Sequence, residues 1–84
     1  MSIRQTLDRI PPGERVVVER LEVGDDIRRR FLDLGLVENT PVECIGRSPG
    51  GDPSAYLIRG AVIAIRANDS RGIYVRRVTD EASK

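Results

Sequence analysis

Over residues 14–21, Val16 and Val18 fall on one face of an extended chain and Val17 and Glu19 on the other. This alternation predicts a strand that begins after a Pro11-Pro12-Gly13 turn. The period then changes. Ile27, Phe31 and Leu34 recur at helical spacing, so residues 25–34 are expected to form one helix, with Asp25 as its N-cap and Gly35 just past its end. Residues 40–45 read as a second strand, and 47–53, carrying Pro49-Gly50-Gly51-Asp52-Pro53, as a long turn. Residues 54–58 and 61–67 follow as two strands joined tightly at Arg59-Gly60. One helical turn over 68–72 and a closing strand over 73–78 complete the pattern.

Five short strands and one helix cannot bury both faces of an open sheet, so closure into a small barrel with the helix over one end is the economical solution. The expected fold class is therefore all-β, a small SH3-like β-barrel with one short inserted α-helix. A chain of 84 residues holds one such domain, placed at 3–78, with 79–84 expected to be a disordered tail.

Composition narrows the classes. Hydrophobic residues at 39% are too many for a disordered chain, and charged residues at 32% too many for a membrane protein. The longest apolar stretch, 60–65, is far shorter than the ~20 residues a spanning helix needs, and the N-terminus lacks a signal peptide's apolar core. A cytoplasmic location is expected. Fourteen Lys and Arg against thirteen Asp and Glu leave a net charge of +1, so no whole-protein field draws the chain to nucleic acid or anionic lipid.

Catalytic chemistry has little to use. There is no histidine, and Cys44, the single cysteine, alternates with Val42 in a β-run with no imidazole to activate it. It reads as a buried core thiol that can form no internal disulfide. No enzyme activity, no cofactor and no metal site are expected. Asp25, Asp26, Asp33, Glu38, Glu43 and Asp52 show no spacing that gathers several oxygens, and Fe(II) sites favour imidazole alongside carboxylate. The Arg28-Arg29-Arg30 run is expected to form intrahelical ion pairs with the neighbouring aspartates. Proline-rich peptide binding would need a groove of aromatics, and the chain has only Phe31, Tyr56 and Tyr74.

Binding is the remaining class. Leu32, Leu34, Leu36 and Val37 exceed what one helix stripe buries, which points to an apolar patch at the helix C-terminus rimmed by Arg28 and Arg29. Leu36 and Val37, beyond the Gly35 stop, are the expected anchors. The 50–53 turn, with Gly51 and Asp52, is the second candidate surface.

Four stretches in order resemble one family. Leu7-Asp8-Arg9-Ile10-Pro11-Pro12-Gly13 is similar to an opening Leu-x-x-Leu-x-x-Gly, and Arg30-Phe31-Leu32-Asp33-Leu34-Gly35-Leu36 to a helix end Arg-Leu-x-x-Leu-Gly-Leu. Pro49-Gly50-Gly51-Asp52-Pro53 is similar to a Gly-Asp-Pro turn, and 60–66 through 73–75 to Gly-x-x-Ile-Ala-Leu-Arg then Ile-x-Val. Together they resemble the FeoA domain of bacterial ferrous iron uptake. Phe31 stands where Leu is usual, Glu38-Asn39 replaces Pro-Gly, where Asn39 can keep a positive φ, and Asp69-Ser70 replaces Glu-Ala.

The resemblance implies an SH3-like barrel without catalysis that supports the membrane transporter FeoB from its cytoplasmic side. Contact with the membrane would then come only through the transporter, and nucleic acid would not be a partner. The same barrel resembles the C-terminal domain of metal-dependent repressors, so a stand-alone regulatory or ligand-binding barrel is the alternative. Weak self-association through an exposed barrel edge stays open.

Overall fold

The computed structural model describes residues 5–77. Six strands form one antiparallel sheet: β1 (Gln5–Thr6), β2 (Arg15–Leu21), β3 (Pro41–Arg47), β4 (Ser54–Ile58), β5 (Ala61–Ile65) and β6 (Ile73–Arg77). A 3₁₀ turn (Leu7–Arg9) follows β1, helix α1 (Asp25–Asp33) links β2 to β3, and the single turn α2 (Ala67–Ser70) links β5 to β6. The strand order is β1-β6-β2-β3-β4-β5, an SH3-like arrangement in which β1 and β5 are the two end strands.

Alternation decides the interior. Val16, Val18 and Leu21 of β2, Val42 and Cys44 of β3, Tyr56 and Ile58 of β4, Ile65 of β5 and Ile73 and Val75 of β6 point inward and are buried. Register shifts in β2 between Val18 and Arg20 and in β3 between Cys44 and Gly46 bend the sheet over this core. Leu7 and Ile10 plug one side, and the buried Tyr56 hydroxyl donates to the Leu7 carbonyl at 3.3 Å.

Several expectations need correction. Among the described residues the sheet has six strands, because Gln5 and Thr6 pair with Val75 and Tyr74 along the edge that β6 offers. The second expected strand runs on to Arg47, since the bulge at Ile45 lets pairing with β4 continue. The strand placed at 61–67 ends at Ile65, where α2 begins two residues later. Helix α1 is capped by Gly24, whose backbone is extended (φ −63°, ψ 162°) while Asp25 is already helical; Asp25 and Asp26 instead place negative charge in the first turn. Tyr56 is fully buried and fills the core. The end of the expected closing strand at Val78 and the 79–84 tail lie outside the described residues.

Candidate functional site

Helix α1 is held to the barrel by few groups. Phe31 is buried, Ile27 is half-buried against the core, and Leu34, expected in the same stripe, is 38% exposed because the helix has already ended at Asp33. The end is a Schellman motif: Leu36 N–H donates to Phe31 O at 2.9 Å and Gly35 N–H to Leu32 O at 3.0 Å, with Gly35 at φ +87°. That reversal turns the residue after Gly35 inward. Leu36 is 0% exposed, so its expected place as a surface anchor is overturned: it belongs to the core with Phe31, as the motif's hydrophobic contact requires. The Leu-Gly-Leu order was a signal for this burial.

Thr40 locks the turn that follows. Its buried hydroxyl donates to Gly35 O at 3.2 Å and accepts from Val37 N–H at 3.1 Å. Arg59, from the β4–β5 hairpin, also donates through Nε to Gly35 O at 2.9 Å. Asn39 sits at φ +71°, and its N–H donates to Val18 O at 2.7 Å, tying the turn to β2.

Between this turn, α1 and the end of β2 lies an open groove. Leu21, Leu32 and the half-buried Val37 give it an apolar floor; Arg20, Glu22, Arg28 and Glu38 stand around it. It continues past Asn39 to Glu19 and Arg76. Leu32 is 46% exposed here. The rim is ordered by pairing: Arg20 meets Glu22 at 2.9 Å and lies 4.9 Å over the Tyr74 ring, and Arg76 donates to Asn39 Oδ1 at 3.3 Å. Arg28 donates to Leu21 O at 2.8 Å rather than pairing with an aspartate. No ion pair within α1 forms among the described residues, which corrects the expected helix-face pairing.

The expected site residues thus separate. Arg28 and Val37 meet in the groove with Leu32 of the expected apolar patch, and Arg20, Glu22, Glu38 and Asn39, which no sequence signal marked as a surface, join them. Arg29 is exposed on α1 but does not line the groove, and Leu36 is internal. Gly51 and Asp52 lie in the 48–53 turn, where the Asp52 carboxylate accepts the Ala67 N–H at 2.9 Å and so holds the start of α2.

Burial pushes the Cys44 thiol above its ordinary value, with the Arg47 charge and a backbone hydrogen bond at Gly46 pulling part of the way back. The thiol is therefore held neutral inside the barrel. Among the described residues no three His, Cys, Asp or Glu side chains gather where a metal ion could be held, and no helix is long and apolar enough to cross a membrane.

The model of the FeoA domain matches residues 5–77, almost the whole chain. This chain belongs to the FeoA domain family. It is similar to the FeoA protein of Chlorobium tepidum, 29% identical with a TM-score of 0.85, over 89% of this chain and 71% of that one. The FeoA-like protein of Clostridium acetobutylicum is 26% identical at a TM-score of 0.84, over 95% and 93% of the two chains. The Fe(2+) transport protein A/Fe(2+) transporter FeoB fusion protein of Porphyromonas gingivalis (strain ATCC BAA-308 / W83) is 26% identical over 77 residues. That match takes 92% of this chain and 9% of the fusion protein, so the FeoA-type chain spans only a small part of that relative. A manganese-dependent transcriptional repressor shares the fold at a TM-score of 0.83 with 15% identity.

Proposed function

We propose that this chain is a non-catalytic accessory module of ferrous iron uptake that acts by contact with the cytoplasmic side of a FeoB-type transporter. The observation that carries this reading is the Porphyromonas gingivalis protein, in which a segment similar to nearly this whole chain is fused to a Fe(2+) transporter. Fusion holds two parts at high effective concentration, which suits partners that otherwise meet through a modest interface.

The groove supplies a surface of that kind. Its centre is apolar, at Leu32 and Val37, and its rim is charged, which is the anatomy of a protein interface. Leu32 replaces Leu36 as the anchor. Arg28 has a structural bond to Leu21 O and acts as rim, while Gly51 and Asp52 form a second surface whose substitution also disturbs α2.

The test is co-purification of the chain with the transporter from membranes, paired with iron uptake in a deletion strain. Leu32→Asp is expected to reduce both while the chain stays folded. Wild-type association and uptake by Leu32→Asp would move the surface elsewhere. DNA binding that weakens steeply with salt, without a transport defect, would favour the repressor-like alternative instead.

A further inference from the structure

End strand β5 has, among the described residues, one edge without a partner strand. Among the described residues it pairs with β4 alone, in continuous register from Ile58↔Ala61 to Ser54↔Ile65. Arg59 and Gly60 have φ of +51° and +84°, the two positive values of a type I′ turn, so Ile58 and Ala61 form the hydrogen-bonded pair that closes the hairpin. Hydrogen-bonded and open pairs alternate along an antiparallel ladder. The backbone groups of Ala61, Ile63 and Ile65 therefore face β4, and those of Val62 and Ala64 face outward.

Edges of this kind are usually blunted by a charge, a proline or a bulge. The strand Ala61-Val62-Ile63-Ala64-Ile65 has no charge and no proline, and its ladder has no register shift. Among the described residues Val62 is the most exposed large apolar side chain, at 64%, and Leu57 beside it on the same face is half-buried.

We infer that β5 is a self-association edge at which two copies of this chain join by antiparallel β5–β5 pairing. A two-fold axis through Ile63 sets Val62 of one copy opposite Ala64 of the other, both with outward-facing backbone groups, so each of the two pairs closes two hydrogen bonds. Ile63, half-buried against the core, then meets its own copy across the open pair, where side chains approach most closely. A second copy is the fitting occupant because it brings an identical, already rigid edge and pays no ordering entropy, which a flexible peptide would. Within residues 61–65 no like charges oppose across the axis, and Arg66 falls opposite Gly60. Five residues a side are far fewer than a permanent interface uses, so the dimer is weak, with Kd on the order of 1 mM. This inference stands apart from the transporter contact, which uses the α1 groove.

Sedimentation and amide exchange between about 0.05 and 1 mM chain test it, a range chosen to bracket that affinity. In the dilute protein the amides of Val62 and Ala64 should exchange freely while those of Ile63 and Ile65 are protected. On concentration, protection should appear at Val62 and Ala64 as the mean mass rises. Ala64→Pro removes an outward N–H without touching the β4 ladder, and Val62→Lys adds the missing edge charge; each should keep the protein monomeric. If Ala64→Pro fails to fold, Val62→Lys decides. A chain that stays monomeric at the highest concentration, or a dimer unchanged in a folded variant of either kind, overturns the proposal.

Discussion

At Gly35 the backbone has φ +87°, and a Cβ built there would lie 2.5 Å from Cδ and 2.7 Å from Nε of Arg59. Two separate constraints meet at one atom: a left-handed turn that L side chains resist, and the approach of the arginine that caps the helix end through Gly35 O. Gly35→Ala should therefore lower stability by about 1–3 kcal/mol, the usual cost of a non-glycine residue held there. In urea denaturation, part of that loss should disappear when Arg59→Ala is added, because the steric component leaves and the φ component stays. A fully additive pair would mean that Arg59 swings away freely. Leu36 and Leu32 make the second contrast at this scale. Leu36→Ala should cost about 2–5 kcal/mol, as a fully buried leucine does, whereas Leu32→Asp should leave the thermal midpoint within a few degrees.

At the scale of elements, α1 is more a lid than a core helix. It buries Phe31 fully and Ile27 in part, and polar bonds add to this hold: Arg28 to Leu21 O, and Arg59 and Thr40 to Gly35 O just past its end. Thr40→Val keeps the shape of the side chain but leaves Val37 N–H without its side-chain acceptor. It should cost about 1–3 kcal/mol in denaturant melts and loosen the 35–40 turn, read as faster amide exchange at Val37. Because Val37 floors the groove, the same variant should weaken co-purification with the transporter. The groove's walls thus come from the end of β2, α1 and the turn after it, consecutive parts of residues 20–39 that only the fold sets facing one another. That is why the sequence pointed to the helix end but chose the wrong leucine there: spacing counts apolar residues, while the turn decides which of them face in.

For the molecule as a whole, neutral buried acids link stability to alkaline pH. Burial raises the Cys44 thiol above 9.0 and the Tyr56 phenol above 10.0; Ser54 and Ser70 hydrogen bonds and the Arg47 charge only partly offset the effect on Tyr56. The unfolded chain then gives up these protons at lower pH than the folded one, so it binds fewer protons and stability falls as pH rises. The contribution is intact below pH 9.0 and is lost progressively above it as pH rises through the folded values. Thermal melts should show a midpoint steady through neutral pH and declining above that value, and Cys44→Ala should flatten the first part of the decline. An unchanged slope in that variant would assign the alkaline loss to Tyr56 or to other groups.

The fold was largely legible in the chain because its signals are local. Alternation at Val16 and Val18, the change of period at Ile27 and Phe31, and the left-handed stops at Gly35, Asn39 and Gly60 are set by backbone sterics and by which face a side chain must take. The family motifs reinforce the same features, and the family match spans the strands and the helix together. What the sequence left open depends on where the folded backbone aims each side chain and which groups it then meets. Strand β1 exists only because β6 offers it an edge, Leu36 turns inward because the Schellman reversal aims it at Phe31, and the arginines of α1 leave their neighbouring aspartates, Arg28 for a carbonyl seven residues before it. The free edge of β5 was equally out of reach, since a strand's place in the sheet order is a property of the closed fold and no residue of the strand states it.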